Sequence, residues 1–109
     1  MKFLALWFQP KNGTGPDGKA LGELYRLFAD MKKAGVLVDS GGWDPKTSHT
    51  VVRPGEGAAS VSTEAPSVRE NIVGYLLLEA ATPQEAQQWC TRWAGLAGEG
   101  HCELWQVPG

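Results

Sequence analysis

Apolar residues fill both alternating faces of the first extended segment, residues 2–8. One face carries Phe3, Ala5 and Trp7, and the other carries Leu4, Leu6 and Phe8. A strand that is apolar on both sides is covered on both sides in the folded protein. Residues 72–78 have the same character. The pattern therefore predicts two strands that are buried from above and below.

Two segments show the spacing of amphipathic helices. The first helix is expected from a cap at Asp17 to about Ala34, with an apolar stripe of Leu21, Leu24, Phe28 and Met31. The second begins with a capping hydroxyl at Thr82, a proline at its first position and Glu85 three residues after the cap. Its predicted buried face contains Ala86, Trp89, Cys90 and Trp93.

The remaining extended segments complete the predicted order of elements. They are a strand from Val36 that breaks at Gly41-Gly42, a strand over 47–53, a short return over 58–63 and a last strand over 101–107, with 64–71 irregular. This order predicts an α+β fold, a ferredoxin-like split βαβ sandwich with an extra hairpin. Two helices cover only one face of the sheet. We therefore expect a homodimer, in which a second copy covers the other face to form a dimeric α+β barrel.

Length and charge narrow the possible functions. The 109 residues predict a single domain spanning 1–109. The net charge is −2, and Lys32-Lys33 is the densest basic pair, so neither a nucleic-acid footprint nor a polybasic membrane patch is expected. The apolar run at 3–8 is shorter than a signal-peptide core, and no run approaches the length of a membrane span. We expect a cytoplasmic protein that needs no cofactor.

The cysteines and carboxylates give no metal site. Cys90 and Cys102 make neither a disulfide framework nor a zinc pattern, so two reduced, shielded thiols are expected. Asp39 and Asp44 lie near a glycine pair, but their spacing matches no calcium-binding loop.

Candidate acid–base chemistry lies on the last strand. Strand alternation places His101, Glu103 and Trp105 on one face, and it places Cys102 and Leu104 on the side of the helices. A histidine beside a carboxylate is able to act as a general base at neutral pH. The alternative is that His101 only makes a structural hydrogen bond near the surface.

Aromatic residues indicate a possible ligand pocket. Its predicted lining residues are Trp7, Trp43, His49, Arg53, Tyr75 and Trp105. Ordinary packing in the core and the dimer interface is the alternative, since large aromatic side chains dominate both. If both histidines, His49 and His101, were open to solvent, an enzymatic function would lose its support.

Several stretches together resemble the YCII-related (DGPF domain) family of dimeric α+β barrel proteins. They are residues 1–6 (MKFLAL), 31–39 (MKKAGVLVD), 42–43 (GW), 50–53 (TVVR), 74–79 (GYLLLE) with Glu85, Ala86 and Trp89, and 102–104 (CEL) with 107–108 (VP). The resemblance spans nearly the whole chain and implies the same fold and a dimer.

The chain departs from that family at its signature. Residues 64–67 read EAPS where the family has Asp-Gly-Pro-Phe. Some members pair a His on the first helix with an Asp after the second. Here residues 17–34 contain no His and 95–100 contain no Asp, so that chemistry does not carry over. Two functions are therefore expected: non-catalytic binding of a small organic ligand in a cleft facing the dimer, or a cofactor-independent isomerase, lyase or oxygenase that uses His101 and Glu103.

Overall fold

The strands and helices follow the predicted order closely. The computed structural model describes residues 1–44, 50–58, 60–62 and 70–108. Its elements are β1 (Lys2–Pro10), α1 (Gly18–Lys33), β2 (Leu37–Gly42), β3 (Val51–Arg53), β4 (Ser60–Ser62), β5 (Glu70–Glu79), α2 (Pro83–Ala94) and β6 (His101–Val107).

The main sheet contains four strands in the order β2-β5-β1-β6. Strand β1 pairs antiparallel with both β5 and β6, and β2 pairs antiparallel with β5. Strands β1 and β2 therefore run parallel, with β5 inserted between them and α1 as their connection. This is a small α+β domain compatible with a ferredoxin-like fold.

Two predicted strand boundaries were wrong, and a third lies partly outside the described residues. Strand β2 continues through Gly41-Gly42 instead of breaking there, because both glycines pair with β5. Strand β5 already begins at Glu70, where an irregular segment was expected. The strand predicted over 47–53 is described only from Val51, and it pairs with β4 in a separate two-stranded sheet. Residues 45–49 lie outside the described part of the chain.

Both helices begin at side-chain caps that the sequence predicted. The Asp17 carboxylate accepts a hydrogen bond from the Ala20 amide at 2.8 Å. The Thr82 hydroxyl accepts one from the Glu85 amide at 3.1 Å, and the Glu85 carboxylate accepts one from the Ala81 amide at 3.0 Å. These bonds satisfy amides that have no partner within the helix.

The helices pack on one face of the sheet. Buried Leu24, Leu27 and Met31 of α1 share a core with buried residues of α2 and β1. The predicted α1 stripe was wrong at Leu21, which is exposed. On α2 the predicted Ala86, Cys90 and Trp93 are buried, whereas Trp89 is only partly buried.

The opposite sheet face, here called the open face, is covered by neither of the two described helices. Its side chains come from the alternate positions of β1 and their neighbours, and they include Leu4, Leu6, Phe8, Tyr75, Leu77, His101, Glu103 and Trp105. Leu4, Leu6 and Phe8 are only partly buried, whereas Phe3, Ala5 and Trp7 are buried. None of the helices in the described ranges is long and apolar enough to cross a membrane.

Candidate functional site

The predicted acid–base pair is present on the open face. In the β1–β6 register His101 lies opposite Phe8 and Glu103 lies opposite Leu6. His101 Nε2 is 3.6 Å from Glu103 Oε2, and the imidazole stacks on the Phe8 ring with centroids 5.0 Å apart. The two side chains are 47% and 41% exposed. The pair is therefore formed and accessible, but no enclosed cavity surrounds it in one copy of the described chain.

A cavity of about 470 Å³ lies on the other side of the sheet, between α1 and the neighbouring strands β1, β2 and β5. The residues that line it are Trp7, Gln9, Pro16, Leu24, Tyr25, Phe28, Ser40, Gly41, Gly42, Trp43, Val73, Gly74, Tyr75, Leu76, Trp93 and Ala97. None of these described residues carries a formal charge, and ten of the sixteen are aromatic or aliphatic. The cavity is therefore apolar, with Gln9, Ser40 and the tyrosine hydroxyls as its polar side-chain groups.

Glycines create this cavity. Gly74 pairs with Trp7 on β1 and with Gly42 on β2, so two of three neighbouring positions under α1 have no side chain. A Cβ atom at Gly74 would lie 3.2 Å from the Gly41 carbonyl oxygen and 4.0 Å from Cζ2 of Trp93. The strand register also shifts beside Trp7, which is the signature of a β-bulge. Missing side chains and this irregularity leave the space unfilled.

Tyr75 belongs to the open face by its register with Leu6, and it reaches the rim of the cavity at the edge strand β2, beside Gly41. A Cβ atom on Gly41 would lie only 2.6 Å from Cε1 of Tyr75, so the ring lies directly across the glycine. The Tyr75 hydroxyl donates a 2.7 Å hydrogen bond to Asp39 Oδ2. That bond is the main cause that raises the pKa of Tyr75, with desolvation and the Asp39 charge adding to it.

Two tryptophans form the inner wall, and a third lies near the mouth. The rings of Trp7 and Trp93 are 5.5 Å apart and tilted by 54°. Trp43 is 50% exposed. The indole Nε1 of Trp7 is buried and has no hydrogen-bond partner among the described residues. A buried donor without a partner costs about 1–3 kcal/mol. This atom lies near Gly100, where a Cβ atom would be 3.1 Å away, and Gly100 is not among the residues that line the cavity.

The predicted ligand-binding residues separate into three groups. Trp7, Trp43 and Tyr75 line the cavity. Trp105 lies on the open face and is 57% exposed, and Arg53 ends β3 in the separate hairpin. His49 lies outside the described residues. The cavity lies on the helix side of the sheet, not at the open face where the sequence predicted a cleft.

The sequence did not indicate the helix residues that complete the cavity. Leu24, Phe28 and Trp93 were all assigned to ordinary core packing, yet they line the cavity. The available signal was the glycine content of two paired strands, at positions 41, 42 and 74. That signal becomes informative only once the strand register is known.

Within the described part of the chain, no group of three or more His, Cys, Asp and Glu side chains comes together to hold a metal ion. Comparison with known proteins leaves the family open: no protein-family model matches the chain, and no curated protein matches it.

Proposed function

We propose that this protein is a homodimeric, non-catalytic binder of a small organic molecule. The observation that carries the proposal is the aromatic cavity of about 470 Å³. Sites for small ligands typically occupy ~300–1,000 Å³ and combine an apolar lining with a few polar groups. The volume and the lining both fit that description.

The cavity favours an uncharged, flat ligand. A charged group would lose its hydration without finding an opposite charge on the described lining residues, which is costly in an apolar site. The faces of Trp7, Trp43 and Trp93 suit stacking against an aromatic ring. Gln9 and Ser40 provide polar contacts for a ligand that carries an oxygen or nitrogen atom.

The open face supports the proposed dimer. Leu4, Leu6 and Phe8 of the central strand β1 are only partly buried, and Trp105 on the neighbouring β6 is more than half exposed. A contiguous apolar sheet face of this kind marks an interaction site. The β3–β4 hairpin forms its own sheet, and an isolated two-stranded hairpin is marginally stable, so a second copy is expected to support it too. A face-to-face dimer is also what the resemblance to YCII-related proteins implies, and we propose membership of that family and a cytoplasmic location on the same basis.

Thermal denaturation against a panel of uncharged bicyclic aromatic compounds, with indole and 2-naphthol included, tests the binding proposal. A compound that binds only the native state raises the midpoint by mass action. Trp43→Ala should abolish most of this rise. Trp105→Ala is the matched control, because it removes an indole of similar exposure from the opposite face.

The same two variants test the dimer by sedimentation. Trp105→Ala should shift the protein toward monomer, whereas Trp43→Ala should leave the assembly unchanged. A wild-type protein that sediments as a monomer at micromolar concentration would remove the shared barrel from the proposal. Loss of ligand binding in both variants would place the ligand at the dimer cleft instead of in the described cavity.

The second candidate is a cofactor-independent enzyme, and the His101–Glu103 contact at 3.6 Å favours it. A compound found in the screen should then be converted when it is incubated with the protein and followed by mass spectrometry. Glu103→Gln preserves shape and removes the charge, so it should slow turnover by ~10²–10⁴-fold. Under the binding proposal no product forms and Glu103→Gln leaves affinity unchanged.

A further inference from the structure

The side-chain amide of Gln9 is held in one orientation at the cavity. Gln9 lies two positions after Trp7 on β1, and both residues line the cavity. Its Nε2 donates a 2.8 Å hydrogen bond to the carbonyl oxygen of Gly13, in the loop that follows β1. A carbonyl oxygen only accepts hydrogen bonds, so the amide group that faces it is the NH2 group. The amide oxygen Oε1 is therefore directed away from Gly13.

The peptide unit that holds this amide is fixed from its other side as well. Its carbonyl group belongs to Gly13, and its N–H group, from Thr14, donates a 3.4 Å hydrogen bond to Glu99 Oε1. The Thr14 hydroxyl donates a 2.8 Å bond to the same oxygen, and the Glu99 amide donates a 3.0 Å bond to the Thr14 carbonyl oxygen. The Gly13 amide also donates a 2.8 Å bond to the Pro10 carbonyl oxygen. The Gln9 amide is thus oriented before any ligand arrives, which lowers the entropic cost of binding.

The Gln9 amide oxygen differs chemically from the other polar groups of the cavity. It is an acceptor with two lone pairs, and no residue in the described part of the chain donates a hydrogen bond to it. The hydroxyl groups of Ser40 and of the two lining tyrosines both donate and accept, so they favour neither kind of ligand group. Gln9 Oε1 accepts only, and it therefore favours a ligand that donates.

We propose that Gln9 selects neutral aromatic ligands that carry an N–H or O–H donor. Indoles and phenolic bicycles belong to this class, whereas ethers and hydrocarbons of the same shape do not. A ligand with a ring oxygen in place of the donor would leave Oε1 partly desolvated and without a partner, which lowers affinity. The proposal rests on the proposed binding function and adds to it the chemical group that the ligand must carry.

Indole and benzofuran test the proposal, because they have nearly the same size and shape and differ in the replacement of a ring N–H by a ring oxygen. Their dissociation constants are measured by nuclear magnetic resonance titration of the isotope-labelled protein. Indole should bind about three- to tenfold more tightly, which is the ratio that one net hydrogen bond provides. The pair of 2-naphthol and 2-methoxynaphthalene repeats the comparison with an O–H donor.

Two variants assign the preference to its residue. Gln9→Met keeps the length of the side chain and removes the acceptor, so the preference for indole should disappear while the affinity for benzofuran stays within about twofold. Ser40→Ala is the matched control, because it removes a polar group from the same cavity and should keep the preference. The titration also gives a direct readout: the side-chain NH2 resonances of Gln9, assigned by their absence in Gln9→Met, should shift more with indole than with benzofuran.

The outcomes separate this proposal from the binding function on which it rests. If no compound of either pair binds, the binding function fails and the selection by Gln9 fails with it. If the compounds bind but indole and benzofuran have equal affinities, the role of Gln9 is overturned and the binding function stands. A preference that persists in Gln9→Met and disappears in Ser40→Ala would also overturn it. The comparison on the wild-type protein needs no variant, so it decides even where circular dichroism shows that Gln9→Met disturbs the fold.

Discussion

Adjacent glycines in β2 should respond oppositely to the same added methyl group. A Cβ atom on Gly42 meets only the Val73 carbonyl oxygen at 3.5 Å, which is ordinary contact, whereas one on Gly41 overlaps the Tyr75 ring at 2.6 Å. Replacing a strand glycine with alanine stabilises a protein by about 0.5–1 kcal/mol where the backbone and space allow it. Gly42→Ala should gain that amount, and Gly41→Ala should offset it with an overpacking cost of about 1–3 kcal/mol.

The Tyr75 ring is half-buried and is able to swing toward solvent, so the cost for Gly41→Ala should fall near ~1 kcal/mol, the lower end of that range. Thermal denaturation followed by circular dichroism resolves this difference, because 1 kcal/mol shifts the midpoint by about 4–8 °C in a domain of this size. A second measurement tests the proposed cause of this cost, which is the displacement of the Tyr75 ring. Swinging the ring out breaks the Tyr75–Asp39 hydrogen bond, so the pKa of Tyr75 should fall toward its ordinary value in Gly41→Ala alone. If the two variants were equally stable and left the Tyr75 pKa unchanged, the ring would not lie across Gly41.

Three further predictions test other parts of the structure. In Asp39→Asn the raised pKa of Tyr75 should drop in a phenolate absorbance titration. In the wild type, the folded protein holds the Tyr75 proton more tightly than the unfolded chain does. The stabilising effect of this group is therefore complete below the ordinary tyrosine pKa, and it is lost as the pH rises through the raised pKa of the folded state. Gly100→Ala should destabilise the protein strongly in a denaturant titration, because φ is +137° and the new methyl group would overlap a carbonyl oxygen of β1. Its control, Gly22→Ala, adds a methyl group in open space on α1 and should stabilise the protein by about 0.5–1 kcal/mol. Thr82→Ala should lower stability by ~1 kcal/mol, because it removes the cap of α2.

Local chemical signals explain why the helices were predictable. The caps at Asp17 and Thr82 act within three residues of their own position, so the sequence alone specifies them. The alternation of apolar residues in β1 likewise specifies two faces. Leu21 was misassigned because the buried side of α1 is formed by Leu24, Leu27 and Met31. Helical spacing defines a stripe, but the packing partner decides which edge of the stripe is covered.

Features that depend on register were not predictable in the same way. The cavity exists because Gly42 and Gly74 become neighbours across two strands that are about thirty residues apart in the chain. A space without side chains leaves no local pattern.

The sheet itself separates the two candidate sites, and this separation decides between the two proposed functions. Trp7 and Leu6 are neighbours on β1, yet Trp7 lines the cavity under α1 while Leu6 lies opposite Glu103 on the open face. A single ligand molecule cannot stack on Trp43 and exchange a proton with His101 through a continuous layer of hydrogen-bonded backbone. If one compound lost its binding in Trp43→Ala and its turnover in Glu103→Gln, the described arrangement of faces would be wrong. We therefore expect Trp43→Ala and Glu103→Gln to act independently of each other. That result would assign ligand binding to the helix side of the sheet and dimer assembly to the open face.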